Sequence, residues 1–102
     1  MVVSQENSYI ATLKNWDESV ARARAKAWGI TLTDSHLEIL YTARHFYSIY
    51  GFSPSMRPLT KFVSESLQAD KGRSIYLVML FPGSSATLIA DIAGIPKPKN
   101  CL

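Results

Sequence analysis

The sequence predicts a mainly α fold: a small bundle of about five helices, with a short N-terminal β-hairpin before it and a flexible C-terminal arm after it. Three observations predict it. Apolar residues over 34–50 recur at i, i+3, i+4 and i+7, the spacing of a helix face. Helix punctuation repeats along the chain, with Thr33 and Ser84 or Ser85 ahead of periodic stretches and Gly29, Gly51 and Gly94 behind them. Pro96 and Pro98 end helix formation for good, because neither carries an N–H.

Each element follows in order. Val2, Val3, Tyr9, Ile10 and Leu13 flank a polar stretch, which reads as a short hairpin over residues 2–13. Asn15 is the expected N-cap of a helix from Trp16 to Trp28 with Gly29 behind it. Its acidic start and basic end complement the helix dipole, and Trp16, Val20 and Ala27 form its apolar stripe. Thr33 caps a longer helix, Asp34 to Tyr50, closed by Gly51. Two of its rows are apolar (Leu37, Leu40, Tyr41, Tyr47 and Ile39, Ala43, Phe46, Tyr50), which makes it the expected central helix. Ser53-Pro54 has the chemistry of an N-cap and first helical residue, with Pro58 one turn in and Lys71-Gly72 at the far end. Ser74–Phe81 fits either a strand or a short buried helix; helix is preferred, since its neighbours are helical and no strand partner is in sight. A last helix runs to Ala93. Residues 95–102 then form a polyproline-like arm, with a reach of roughly 20–25 Å from Gly94 to Cys101.

The 102 residues suit one domain, a body over 1–94 and an arm over 95–102, and are too few for a large α/β enzyme. Apolar residues at 47% and charged residues at 19% give a globular composition. One cysteine excludes an intramolecular disulfide and a Cys2His2 zinc site. The first residues lack the pattern of a signal peptide, and the longest apolar run, 76–82, is far short of a membrane span. A cytoplasmic protein that does not associate with membranes is expected.

Cys101 is the residue most able to do chemistry. Lys97 and Lys99 favour its thiolate, while the terminal carboxylate of Leu102 opposes them. A thiolate on an arm suits group transfer between proteins; it lacks the fixed base and oxyanion donors of a self-contained hydrolase. His36 and His45 lie nine residues apart, out of register for a shared metal. Asp34 and Glu38 sit in a first turn, where the dipole accounts for them. No glycine-rich phosphate loop is present, and no metal or organic cofactor is expected. Residues 32–67 also trace a helix-turn-helix outline, with Arg57 and Lys61 able to meet DNA, but Glu65 and Asp70 share that helix and direct nucleic-acid binding is not expected.

Several stretches together resemble the TusE/DsrC family of sulfur relay proteins, also described as the gamma subunit of dissimilatory sulfite reductase. They are Gly29–His36, Arg44–Tyr47, Pro54–Lys61, Ile75–Pro82 and Ile92–Leu102. The most specific is the ending, Ala93-Gly94-Ile95-Pro96-Lys97-Pro98 followed by the penultimate Cys101. The resemblance covers roughly residues 9–102. It implies an orthogonal helical bundle with an N-terminal hairpin and a projecting arm. It also implies sulfur carried as a persulfide on Cys101, received from a DsrE/TusD-type donor. The acceptor it implies is a tRNA-thiolating enzyme or a sulfite-reductase-like complex. Arg57 and Lys61 match the family's basic positions, so with Lys97 and Lys99 they are candidates for partner docking. A regulatory or scaffold subunit of a sulfur enzyme is the alternative the resemblance leaves open. Two departures stand out. Ala90 holds the place of the second cysteine found in the DsrC branch, which makes this a single-cysteine chain. Asp91 stands where a lysine is frequent, and the stretch after Pro82 has no lysine.

Overall fold

Residues 13–99 are described by the structure, a computed structural model. Among them are five α-helices and a short 3-10 turn: α1 (Glu18–Ala27), α2 (Asp34–Tyr50), α3 (Met56–Ser66), the turn Ala69–Gly72, α4 (Ser74–Leu80) and α5 (Ser85–Ala93). No strand occurs among the described residues. The expected hairpin over 2–13 lies outside them, except for Leu13, which is helical.

The most buried element is α5, not α2 alone. Seven of its nine residues are buried, and it packs against α1, α2 and α3. A helix apolar over most of its circumference, with only Asp91 exposed, must sit largely inside. Burying Leu88, Ile89 and Ile92 contributes about 1.5–3 kcal/mol each, more than the roughly 1 kcal/mol of an N-cap bond. That is why α5 forms although Ser84 makes no side-chain cap bond. Around it, Ile39 and Leu40 of α2, Leu59 and Val63 of α3, Leu77 of α4 and Phe81 complete a fully buried core.

By contrast α1 buries only Ala21 and Ala25, not the expected stripe; Ala27 is exposed and Trp16 and Val20 are half-buried. It depends on its caps. Asp17, rather than Asn15, is the N-cap: its carboxylate accepts the Val20 N–H at 3.0 Å and the Ser19 hydroxyl at 2.7 Å. The Ser19 bond, then the Val20 N–H, hold the Asp17 pKa below its usual value.

The ends of α2 are where the sequence puts them. His36 supplies the reciprocal half of the cap, accepting the Thr33 N–H on Nδ1 at 3.1 Å. That leaves Nε2–H to donate to Leu80 O at 2.9 Å, while the ring packs edge-on against Phe81. His36 is thus a structural histidine that ties the start of α2 to the end of α4. Tyr41 and Tyr50, expected in the apolar rows, are about half exposed.

The third helix begins later and ends sooner than expected. Ser53 is not its cap; its hydroxyl donates to Pro96 O instead, and the helix starts at Met56. Pro58 then falls at the third helical position, where no N–H is needed. Ser66 ends the helix, and the chain turns back through Ala69–Gly72 against it. Gly72 makes that return possible. A Cβ there would lie 2.3 Å from Ser64 Cβ and 2.6 Å from Thr60 O.

Candidate functional site

The site is built from the end of α5. Gly94 adopts the left-handed conformation (φ 74°), and the chain closes with Ile95 N–H to Ala90 O at 3.0 Å and Gly94 N–H to Asp91 O at 3.2 Å. This is the Schellman arrangement, and Ile95 supplies its buried apolar contact. Three side chains from outside α5 satisfy the last carbonyls. Arg24 Nη1 donates to Asp91 O at 2.8 Å, Trp16 Nε1 to Ile92 O at 2.8 Å, and Arg44 Nη1 to Ala93 O at 2.7 Å. Arg44 also donates to Leu13 O and lies 4.1 Å from the Trp16 ring centroid. Burial lowers its pKa from the usual arginine value. Two guanidinium groups at the C-terminal end of a helix also complement its dipole.

From that clamp the arm runs back over the body. Two residues of the arm, Ile95 and Pro98, are packed on the body, which corrects the expectation of an arm free from residue 95. Between them, Pro96 O accepts the Ser53 hydroxyl. A groove of about 540 Å³ lies here, walled by Tyr47, Gly51, Phe52, Ser53 and Ser55 on one side and by 96–99 on the other.

Lys97 and Lys99 both line the groove and are exposed. Arg57 and Lys61 are not among its walls; they stand exposed one turn apart on α3, Arg57 two residues beyond Ser55. Cys101 lies outside the described residues. In the sequence it follows Lys99 by two residues. Ala90 is 1% exposed and belongs to the core, as the interior position of α5 requires. His45 is exposed and rests against Phe62, far from any pairing with His36. No group of three or more possible metal ligands occurs among the described residues.

Sequence reasoning missed the clamp. Trp16 and Arg44 are too distant in the chain to be paired by spacing. The available signal was an arginine inside an otherwise apolar stretch of α2. Asp91 has an internal role too, accepting the Trp28 indole N–H at 2.8 Å. That bond ties the end of α1 to α5 at the surface.

No single helix among the described residues is long and apolar enough to cross a membrane. The family model described as "DsrC like protein" matches residues 1–102. A sulfurtransferase TusE homolog of Haemophilus influenzae is 44% identical over 101 residues, 99% of this chain and 93% of that one. Sulfurtransferase TusE of Sodalis glossinidius is 37% identical over 101 residues, 99% of this chain and 94% of that one. Among solved structures, the NMR structure of Allochromatium vinosum DsrC superposes with a TM-score of 0.79 at 39% identity, covering 88% of this chain and 80% of that one. The oxidized gamma-subunit of the dissimilatory sulfite reductase (DsrC) of Archaeoglobus fulgidus gives 0.70 at 33%, covering 88% and 82%. With a family model spanning the chain and relatives matched end to end, this chain belongs to the DsrC-like family.

Proposed function

We propose that this chain is a sulfur carrier whose Cys101 takes up sulfane sulfur as a persulfide and passes it to a partner protein. Relatives named sulfurtransferase TusE at up to 44% identity support the class of activity. The observation that carries the reading onto these residues is the docked arm. Its root is clamped by Arg44 and Trp16 and held on the groove by Ser53, which delivers Lys99 two residues short of the thiol.

The chemistry needs no cofactor and no net redox change. The Cys101 thiolate attacks the outer sulfur of a donor persulfide. The donor S–S bond breaks, the donor leaves as a thiolate, and Cys101 carries the S–SH group. Delivery repeats the step with an acceptor thiolate attacking the outer sulfur of that group. Lys97 and Lys99 favour the anion and steer it. Arg57 and Lys61 contribute further positive charge for docking. With Ala90 in the core, the chain has no second thiol for an internal disulfide, so both exchanges use a partner's thiol. A DsrE/TusD-type donor and a tRNA-thiolating acceptor or sulfite-reductase-like complex are the partners this reading takes, acting on one domain of body plus arm in the cytoplasm.

Intact mass measurement tests it. Incubation with a persulfide donor adds one sulfur atom to the chain, and Cys101→Ser abolishes the gain. An unchanged wild-type mass, under conditions that load a related carrier, refutes the proposal.

A further inference from the structure

Beside the groove, α2 and α3 expose an aromatic cluster that the fold does not use. Phe46, buried at its base, contacts Tyr50 at 4.5 Å, Phe62 at 5.2 Å and Phe52 at 5.4 Å between ring centroids. Tyr50 and Phe52 are each 53% exposed, and Ile49, on the same face of α2, is 49% exposed. Phe52 is also a wall of the groove, so the cluster is continuous with the arm. The surrounding charge is mostly positive, with Glu65, one turn beyond Lys61, at its edge. No carboxylate occurs between Glu38 and Glu65, nor from 92 to 99, the segments that build this face. Arg57, Lys61, Lys97 and Lys99 rim it and pair with no carboxylate among the described residues.

We infer that Ile49, Tyr50, Phe52 and Phe62 form a docking surface for the sulfur-exchanging partner, a protein face with an apolar centre and an acidic rim. This rests on the carrier reading and names the chemistry of its partner. Charge complementarity selects this occupant. A second copy of the chain would set the four cations of one rim against four of another, which repels. Single-stranded RNA suits a basic rim and stacks on open, parallel ring faces, but here the two most exposed rings, Tyr50 and Phe52, are inclined at 51° and Tyr50 meets Phe62 at 80°, so they form no flat stacking platform. Aromatic anchors dominate protein interfaces, and rim charges set the association rate and its salt dependence.

The test compares two routes of sulfur loading in the full chain: a purified persulfide-bearing donor protein and a small inorganic polysulfide. Tyr50→Ser and Ile49→Ser, checked for folding by circular dichroism, should load from the donor protein about tenfold more slowly or worse. Their loading from polysulfide should equal wild type. Arg57→Glu with Lys61→Glu should slow the protein route and flatten its salt dependence. Met79→Ser, at an exposed apolar position on α4, should leave both routes unchanged. Equal donor loading by wild type and both serine variants overturns the docking surface while leaving the carrier reading intact. So does loss in Met79→Ser alone, salt-dependent binding of a labelled single-stranded RNA that Tyr50→Ser abolishes, or self-association through Tyr50. Failure of both routes in wild type overturns the carrier reading instead.

Discussion

Arg44→Met removes the guanidinium from the end of α5 but keeps most of its apolar stem. The carbonyl of Ala93, a residue with no exposed surface, loses a charged donor at 2.7 Å. A hydrogen bond from a charged group is worth about 1.5–3 kcal/mol, and the contact with the Trp16 ring adds about 1 kcal/mol at a partly buried site. The bond to Leu13 O is discounted, since water can replace it at the rim of the fold. The expected loss is therefore about 3 kcal/mol. For a domain of this size that lowers the thermal midpoint by about 12–24 °C. Urea denaturation followed by circular dichroism gives the free energy directly, and Arg44→Lys, retaining one donor and the charge, should recover part of it. A loss under about 1 kcal/mol in Arg44→Met refutes the reasoning, because it means solvent or Trp16 alone satisfies the helix end.

Two further substitutions probe the frame. Gly72→Ala places a Cβ 2.3 Å from Ser64 Cβ and 2.6 Å from the Thr60 carbonyl, so the return after α3 must shift; a cost of about 1–3 kcal/mol in denaturant titration is expected. Asp17→Asn tests the cap of α1. The wild-type carboxyl has a pKa lowered from 3.8, so its contribution is present above that value and is lost as pH falls through the lower folded value. The thermal midpoint of wild type should exceed that of Asp17→Asn at neutral pH and converge with it once the pH has fallen below the lowered folded-state pKa. Lack of convergence means the Ser19 and Val20 bonds do not act through the charge.

The sequence showed most clearly what is local. Thr33, Gly51 and Gly94 mark helix ends by their own backbone and side-chain preferences, and the bounds of α2 and the end of α5 match the reading residue for residue. It failed where a side chain has two possible partners. Ser53 has the composition of an N-cap, but Pro96 O, far along the chain, takes its hydroxyl. Asn15 lost to Asp17, whose carboxylate accepts two donors. Tyr41 fits an apolar row by spacing, yet its hydroxyl reaches Glu18 at the surface. The arm was misread for the same reason: proline spacing forbids helix but says nothing about packing. The candidate thiol was legible from its position in the chain, whereas the clamp of Arg44 and Trp16 was not, because it joins three elements.

Docking the arm changes how a partner must approach. If the arm were free from Gly94, Cys101 could reach roughly 20–25 Å from the body, and the surface beneath would have no say in recognition. With Ile95 and Pro98 buried and Pro96 held by Ser53, the arm is fixed to the body as far as Lys99, two residues before Cys101 in the sequence. Freeing the arm means exposing two apolar side chains and breaking a hydrogen bond, about 3–5 kcal/mol together. At that cost the released arm is populated less than about once in a hundred molecules. A partner that waited for it would exchange sulfur at a correspondingly reduced rate. One that comes down onto the groove meets Lys97 and Lys99, the last described part of the arm, where they already are. Under the proposed docking surface, that approach brings the partner against Phe52 and the basic rim, and the body then takes part in partner selection beside the arm.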